Sequence, residues 1–325
     1  MPMRQPIVCM LGHVDTGKTS LLDKIRGTAV QMREAGGLTQ QIGASYFPFD
    51  TLVAIVQKLM QNVDLSVKVP GLLVVDTPGH EAFANLRTRG GSVADIAILV
   101  VDAMHGFENQ TFESLQILKA RKVPFIIAAN KIDRVTGWKS EENRPFMKGY
   151  NAQNKWVKED LDNRLYNMMG TLSRESMASD RFDKVRDFTK NIAIVPVSAK
   201  TGEGIGELLM VLIGLTQQFL EQKLQVTEGL ARGTVLEVRE EVGLGTTLNA
   251  IIYDGTLHAD DTIVIGGREG PISTKIRAIL VPQPLEEMRD SKKQFNTIQE
   301  AHAAAGIKIA APNIDNTITG DPLLP

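Results

Sequence analysis

The chain has 325 residues, which is enough for two domains with substantial cores. Its 36 Lys and Arg residues nearly balance its 38 Asp and Glu residues, so no overall basic field points to nucleic acid. The one cysteine excludes a disulfide within the chain and a cysteine-based zinc site. No run of about 18 apolar residues is present, and the first apolar run is too short for a signal peptide. We therefore expect a cytoplasmic monomer with no membrane partner.

The first predicted strand covers residues 7–11 and is almost wholly apolar, as expected for a strand buried on both faces. The next eight residues match the phosphate-loop pattern G-x-x-x-x-G-K-[ST]: Gly12, His13, Val14, Asp15, Thr16, Gly17, Lys18 and Thr19. A predicted helix follows from Ser20. The glycines let backbone N–H groups surround phosphate oxygens at the positive end of this helix. Lys18 can reach the β- and γ-phosphates, and the Thr19 hydroxyl can bind Mg²⁺.

The next part of the chain leads to a second buried strand. Residues 28–43 are polar and contain glycine without a sustained period, which predicts a long mobile loop beside the phosphate site. Residues 45–49 can form a short strand, and apolar residues at helical spacing predict a helix over 52–60. Residues 71–75 (GLLVV) predict a buried strand that ends at Asp76.

Apolar strands continue to alternate with helices up to residue 219. Strands are predicted at residues 96–101, 125–129 and 192–197, and helices at 81–89, 108–121, 151–169, 180–190 and 205–219. This alternation is typical of a mostly parallel sheet that is covered on both faces. We therefore predict a doubly wound α/β domain over residues 1–225, with a helical insertion at 134–190.

The composition changes near Val226. Short β-rich runs separated by glycine and proline turns are found at residues 233–238, 247–253, 261–265, 274–280 and 307–310. We predict that residues 226–325 form a small antiparallel β-barrel.

Two motifs at the carboxyl ends of predicted strands indicate which base is bound. Asn130-Lys131-Ile132-Asp133 follows the predicted strand at 125–129, and Ser198-Ala199-Lys200 follows the end of the predicted strand at 192–197. The Asp133 carboxylate can accept hydrogen bonds from guanine N1–H and from the exocyclic amino group. Adenine offers neither donor, and such mismatches discriminate by roughly 10⁴-fold or more.

The remaining residues of these motifs have predicted supporting roles. Asn130 can brace the phosphate loop, and Lys131 and Lys200 can cover the two faces of the base. The Ala199 N–H can meet guanine O6 while Ser198 holds Asp133.

The DTPGH segment supplies the predicted catalytic residues. Asp76 suits a water-bridged contact to Mg²⁺, and the Gly79 N–H can bond the γ-phosphate. A loop histidine is by itself more often a surface residue, but the position of His80 next to the γ-phosphate predicts that it orients the attacking water.

Together, GHVDTGKT, DTPGH, NKID and SAK resemble the motifs of translational GTPases. Within that group the chain is similar to the initiation factor two/initiation factor five-B family. GGLTQQIGASYF, NKIDRVTGWK, GLGTTLNAIIYDGTLHADDTIVIGG and IRAILVPQPLEEMR point to its archaeal and eukaryotic five-B branch.

The resemblance implies further site residues. Thr39 matches the switch threonine that closes on Mg²⁺ and the γ-phosphate, although Thr28 competes on composition alone. Val14 and Leu38 match an apolar pair that keeps the histidine away from the water. Asp15 matches a position that binds a monovalent cation, although it can also simply cap the loop.

The resemblance also implies a function. We expect GTP/GDP binding with Mg²⁺, weak intrinsic hydrolysis, and stimulation by ribosomal subunits at subunit joining. The alternative is a nucleotide-gated ribosome-binding module in which hydrolysis only resets the domain orientation. Family members continue beyond the barrel, whereas this chain stops at Pro325, so the family's contact with initiator tRNA is not carried over to this chain.

Overall fold

A computed structural model describes residues 4–31, 39–41, 44–60, 70–75, 94–220, 224, 229–241, 244–282 and 295–325. Within these ranges the chain forms two large sheets, each with its own apolar core. The predicted boundary near residue 225 lies outside the described residues. Among the described residues, no helix has the length and apolar character needed to cross a membrane.

The first sheet has eight strands in the order β2-β3-β4-β1-β5-β6-β8-β7. The strands are β1 (Ile7–Leu11), β2 (Thr39–Gln41), β3 (Ala44–Pro48), β4 (Gly71–Val75), β5 (Ile96–Asp102), β6 (Phe125–Asn130), β7 (Ser179–Arg181) and β8 (Ile192–Pro196). The strands from β4 to β7 in this order are all parallel, and the β2–β3 hairpin is added antiparallel at one edge. Because β1, β4 and β5 are buried along their whole length, they need the near-continuous apolar sequences that they have.

Six described helices accompany this sheet. They are α1 (Lys18–Gln31), α2 (Phe49–Met60), α3 (Asn109–Arg121), α4 (Phe146–Asn151), α5 (Lys155–Arg174) and α6 (Ile205–Leu220), and a 3₁₀ turn covers Ile132–Arg134. The parallel sheet with helices between its strands agrees with the predicted doubly wound domain.

Two predicted segments of this domain are wrong in part. The expected loop over 28–43 is shorter, because α1 continues to Gln31 and residues 39–41 form β2; residues 32–38 and 42–43 lie outside the described ranges. The expected helix over 180–190 is replaced by the edge strand β7 and a series of turns. Both β2 and β7 are short polar segments that form a strand only because a neighbouring strand pairs with them. Such a segment has no alternation of apolar and polar residues by which it could be recognised in the sequence. The helix expected at 81–89 falls on residues that are not described.

The second sheet is antiparallel, with the order β13-β12-β18-β9-β10-β17-β14-β15. Its strands are β9 (Arg232–Glu241), β10 (Gly245–Asp254), β12 (Thr262–Ile265), β13 (Ile272–Lys275), β14 (Ala278–Pro282), β15 (Phe295–Ile298), β17 (Ala305–Ala310) and β18 (Pro322–Leu324). A separate pair joins β11 (Thr256–His258) to β16 (Glu300–His302). We call this part of the chain, residues 229–325, the β domain; its antiparallel architecture agrees with the prediction.

The strand predicted over 274–280 is in fact two strands. β13 pairs with β12 at one edge of the order, whereas β14 pairs with β15 and β17 near the other. The chain changes direction at Ile276 and Arg277, whose N–H groups donate to Asp261 and Ala310 respectively. No glycine or proline marks this bend, so the sequence reads as one strand.

Contacts join the two parts of the molecule. Gln5 Nε2, just before β1, donates to the Ala304 carbonyl of the β domain. Leu236 and Ile251 of the β domain belong to the core of the α/β domain. The edge strand β2 also contacts β14 and β17.

Candidate nucleotide-binding site

The phosphate loop leaves the carboxyl end of β1, and two of its glycines are required by close contacts. Gly12 has φ +143°, and a Cβ there would lie 2.2 Å from the Val100 carbonyl oxygen. Gly17 has φ +89°, and a Cβ there would lie 2.5 Å from Asn130 Nδ2. Side chains rarely adopt such φ values and would also collide, so both positions need glycine.

Polar side chains close the loop on itself. Lys18 Nζ donates to the carbonyl oxygens of Gly12 (2.9 Å) and His13 (2.7 Å). The buried Thr16 hydroxyl also donates to the His13 carbonyl, at 2.9 Å. The structure therefore brings the predicted lysine inside the loop. Thr19 and Ser20 are exposed in the first turn of α1.

The start of α3 contacts the outer side of the loop. Glu108 Oε2 lies 2.8 Å from His13 Nε2, and Gln110 Oε1 accepts a hydrogen bond from the Val14 N–H at 3.0 Å. Glu108 and Gln110 belong to no sequence motif, so neither residue was predicted to contact the phosphate loop. The Val14 side chain and Asp15 are exposed, and Asp15 has φ +62°.

Asn130 connects the phosphate loop to the loop that follows β8. Its Nδ2 donates to the Thr16 carbonyl at 2.8 Å. Its Oδ1 accepts from the N–H groups of Lys131 (2.8 Å) and Ala199 (2.9 Å). The side chain is buried, so these three bonds fix one loop relative to the other. The Ala199 N–H, predicted to face guanine O6, thus donates to Asn130 in this structure.

Asp133 and Ser198 also lie together. The Ser198 hydroxyl donates to Asp133 Oδ1 at 2.6 Å and accepts a bond from the Thr201 N–H at 3.1 Å. Ser198 is fully buried, whereas Lys200 is exposed. One carboxylate oxygen of Asp133 is therefore anchored by a charge-assisted bond, which orients the group.

Lys131 is oriented by the Asp102 carboxylate, which was not predicted from the sequence. Lys131 Nζ lies 2.7 Å from Asp102 Oδ2, and Asp102 Oδ1 accepts from the Met104 N–H at 2.8 Å. Burial opposes ionisation of Asp102, but the bonds from Lys131, Met104 and His105 outweigh it and lower the pKa of the carboxyl group. In the sequence, Asp102 could have been recognised as a candidate because it directly follows the predicted strand at 96–101. In the structure it lies at the end of β5, where it pairs in register with Asn130.

Thr39 is not brought to the phosphate loop. Thr39 in β2 pairs with Tyr46 in β3, and Tyr46 pairs with Leu73 in β4. Leu73 pairs with Ile7, which is the first residue of β1. Thr39 therefore lies three strands from β1, about 14 Å across the sheet, and level with the end of β1 opposite to the loop. The other predicted switch and catalytic residues, Leu38, Asp76, Gly79 and His80, lie outside the described residues.

The residues of the loop fit a phosphorylated ligand. Two glycines leave no room for side chains, Lys18 supplies a cation, and the N-terminus of α1 supplies N–H donors. For Mg²⁺, Thr19 offers an exposed hydroxyl in the right part of the loop. No group of three or more His, Cys, Asp or Glu residues within the described ranges is arranged to hold a metal ion.

The fold and the loops define a nucleotide-binding α/β domain of the phosphate-loop class, followed by an antiparallel β domain. The family model for the elongation factor Tu GTP-binding domain matches residues 3–218, and the model for elongation factor Tu domain 2 matches residues 245–324.

Matches to individual proteins indicate the family more narrowly than the two family models do. Proteins described as probable translation initiation factor IF-2 are 56% identical in Sulfurisphaera tokodaii, over 99% of this chain and 53% of that protein, and 53% identical in Methanopyrus kandleri, over 99% and 54%. The crystal structure of GDP-bound aIF5B from Aeropyrum pernix matches with a TM-score of 0.94 and 53% identity, covering 99% of this chain and 54% of that one. The chain therefore belongs to the translational GTPases, in the initiation factor two/initiation factor five-B family. It spans about half the length of the curated relatives it matches.

A more distant structure shows the fold alone. The apo form of elongation factor SelB from Methanococcus maripaludis has a TM-score of 0.60 at 22% identity, covering 100% of this chain and 55% of that one. The pairing of an α/β domain with an antiparallel β domain is therefore a fold shared beyond the initiation factors.

Proposed function

We propose that this chain binds GTP and GDP and hydrolyses GTP as part of a translation initiation factor. The observation that carries the proposal is the pair of hydrogen bonds made by the Asn130 side chain. Its Nδ2 donates to the Thr16 carbonyl of the phosphate loop (2.8 Å), and its Oδ1 accepts from the Ala199 N–H in the loop after β8 (2.9 Å). This side chain makes the phosphate-binding and base-binding loops one unit, so a bound nucleotide is read at both ends in a fixed geometry.

The choice of guanine is supported by the Asp133–Ser198 contact. Ser198 occupies one side of the Asp133 carboxylate, which leaves acceptor capacity for the N1–H and amino group of guanine. Adenine presents no donors there and would leave a desolvated anion unsatisfied. Lys131, held by Asp102, and Lys200 would cover the faces of the base.

The phosphates are proposed to be held by N–H groups of residues 12–20 and by Lys18. Thr19, together with Asp76 through a water, would hold Mg²⁺, and Asp15 a monovalent cation. When bound, Mg²⁺ neutralises charge on the β- and γ-phosphate oxygens. We propose that His80 orients the attacking water and that the Gly79 N–H bonds the γ-phosphate.

The predicted role of Thr39 requires a rearrangement. Its backbone is paired with Tyr46 in the β2–β3 hairpin, so closing on the γ-phosphate would require β2 to leave that pairing. Because β2 also contacts β14 and β17, its release would change the contact between the two parts of the molecule. This contact favours the second candidate function, a nucleotide-gated ribosome-binding module.

Ribosomal subunits are the proposed partners, and subunit joining is the proposed step, because the relatives are described as initiation factors. We propose that ribosomes accelerate a weak intrinsic GTPase activity by positioning His80. Since the relatives are about twice as long as this chain, we do not extend the proposal to contact with initiator tRNA.

The decisive experiment measures nucleotide affinity for the parent and for Asp133→Asn. An asparagine amide donates where the carboxylate accepts, so GTP affinity should fall at least about 100-fold while affinity for xanthosine triphosphate rises. Asp260→Asn, at a carboxylate that is 93% exposed in the β domain, is the control and should change neither. Equal affinity of the parent for ATP and GTP would refute the proposal.

Turnover on ribosomes separates the two candidate functions. An enzyme whose hydrolysis serves subunit joining should show turnover that rises with ribosomes in the parent and not in His80→Ala, at unchanged GTP affinity. A gated module should bind subunits more tightly with GTP than with GDP, and Thr39→Ala should remove that difference. Persistence of stimulated turnover in His80→Ala would show that the role of His80 is wrong.

A further inference from the structure

The base loop, residues 198–204, is packed against the first part of the helical insertion, residues 134–153, which we call the insertion arm. We propose that the insertion arm sets guanine affinity by holding the base loop in its binding shape through the Arg144–Glu203 pair. This inference rests on the proposed function, because it concerns the same site. It gives the insertion arm a positioning role without direct contact to the ligand.

Glu203 is the centre of the contact and is fully buried. Arg144 donates to Glu203 Oε1 from Nη2 (2.9 Å) and from Nε (3.2 Å), and Trp138 Nε1 donates to Oε2 at 3.2 Å. Gly149 in α4 leaves room for the Glu203 carboxylate, since a Cβ at this position would lie 2.9 Å from Glu203 Oε1. A buried carboxylate is stable only when it is paired in this way, so Glu203 depends on residues supplied by the insertion arm.

Backbone bonds join the same two segments. The Asn143 N–H donates to the Thr201 carbonyl at 2.9 Å, and the Gly204 N–H donates to the Arg144 carbonyl at 3.3 Å. Gly202, with φ +85°, lies so close that a Cβ would be 2.3 Å from Asn143 Oδ1. Residues 143 and 144 are therefore in direct contact with the base loop, and we infer that their position determines the shape of the base loop.

A short series of bonds leads from this contact to the base-reading carboxylate. The Ser198 N–H donates to the Glu203 carbonyl at 2.9 Å, and the Gly202 N–H donates to the Ser198 carbonyl at 2.8 Å. The Ser198 hydroxyl then holds Asp133 at 2.6 Å. Displacement of Glu203 would therefore move Ser198 and release Asp133 from its anchored orientation.

The consequence is a specific loss of base recognition. If the base loop adopts its binding shape in one molecule in ten, the apparent Kd for GDP rises about tenfold. Inosine diphosphate lacks the amino group that donates to Asp133, so its affinity differs less between the binding shape and the displaced shape of the base loop, and its Kd rises less than that of GDP. The ratio of the Kd values for inosine diphosphate and GDP should therefore fall, whereas a general loss of folded protein would weaken both equally.

The test compares Arg144→Ala with Arg4→Ala in the full chain by calorimetric titration with each diphosphate. Arg4 is a matched control: it makes a bidentate pair with Asp95 (2.6 and 2.9 Å) at similar burial, beside the amino end of β1 and away from the site. Both variants should lose stability. Arg144→Ala should weaken GDP about tenfold and lower the ratio, and Arg4→Ala should leave the ratio unchanged.

The outcomes distinguish the inference from the proposed function. A parent that binds adenine and guanine diphosphates equally well refutes the proposed function. A parent that prefers guanine, together with an Arg144→Ala variant whose ratio equals that of the parent, overturns the inference alone. If Arg144→Ala does not fold, the isosteric Glu203→Gln decides in the same measurement, and an unchanged ratio again overturns the inference.

Discussion

The two ends of the nucleotide site are built from different parts of the chain. The phosphate loop holds its shape through backbone: glycines at 12 and 17 with positive φ, and carbonyl oxygens gathered around Lys18. The base loop holds its shape through charged side chains, above all the buried Glu203 and the Arg144 that pairs with it. Phosphate oxygens are recognised by N–H groups, whereas a base edge is recognised by a carboxylate that must itself be held in place.

Each end is therefore sensitive to a different kind of substitution. At the phosphate end, adding one methyl group should be more damaging than removing a side chain. At the base end, removing a charge should be damaging in proportion to its burial. The expected effects run from loss of phosphate binding to a small gain in stability.

The largest effect is expected for Gly17→Ala. The new Cβ would lie 2.5 Å from Asn130 Nδ2, at a φ of +89° that alanine rarely adopts. Either the phosphate loop or Asn130 must move, so the hydrogen bond from Asn130 Nδ2 to the Thr16 carbonyl is lost. The backbone N–H groups of the loop then no longer converge on the phosphate position. GDP affinity measured by calorimetry should fall about 100-fold.

Gly27→Ala is the matched control for that substitution. Gly27 lies within α1, and nothing is within 4 Å of the position of its Cβ. Alanine should therefore raise the free energy of unfolding by roughly 0.5–1 kcal/mol and leave GDP affinity unchanged. If the two variants bind GDP equally well, phosphate binding does not depend on the backbone shape at Gly17.

A smaller effect is expected for Asp102→Asn at the base end. The substitution takes the charged partner from Lys131 and should lower the free energy of unfolding by about 2 kcal/mol at pH 7, measured with urea. Because the pKa of Asp102 is lowered in the folded protein, its contribution is present above the ordinary value of a carboxyl group and is lost as the pH falls. The difference between parent and variant should therefore shrink on acidification. An equal difference at pH 7 and at pH 3 would contradict this interpretation.

The sequence predicted the parts of the site that are defined by local spacing. The phosphate loop, NKID and SAK all lie at carboxyl ends of parallel strands, because each motif directly follows an apolar strand. The roles of Asp76, Gly79 and His80 stay predictions, since those residues are not described.

The supporting residues could not be predicted in the same way. Arg144 and Glu203 are 59 positions apart, and Lys131 and Asp102 are 29 apart. No periodicity connects such pairs, and only the folded sheet brings them together. The same reason explains why β2 and β7 were missed, since each is a three-residue strand defined by its partner.

The smallest effect, and one of opposite sign, is expected for Glu207→Gln in α6. Glu207 is buried, one carboxyl oxygen has no hydrogen-bond partner among the described residues, and burial with the nearby Glu203 charge raises its pKa. The folded protein therefore holds this proton more tightly than the unfolded chain, and stability falls as the pH rises from the ordinary value through the raised pKa. Glutamine removes this loss, so the variant should be about 1 kcal/mol more stable than the parent at pH 8 and closer to it at pH 4. A lower melting temperature for Glu207→Gln than for the parent at pH 8 would contradict this expectation and would show that the Glu207 charge, like that of Glu203, is stabilised in the folded protein.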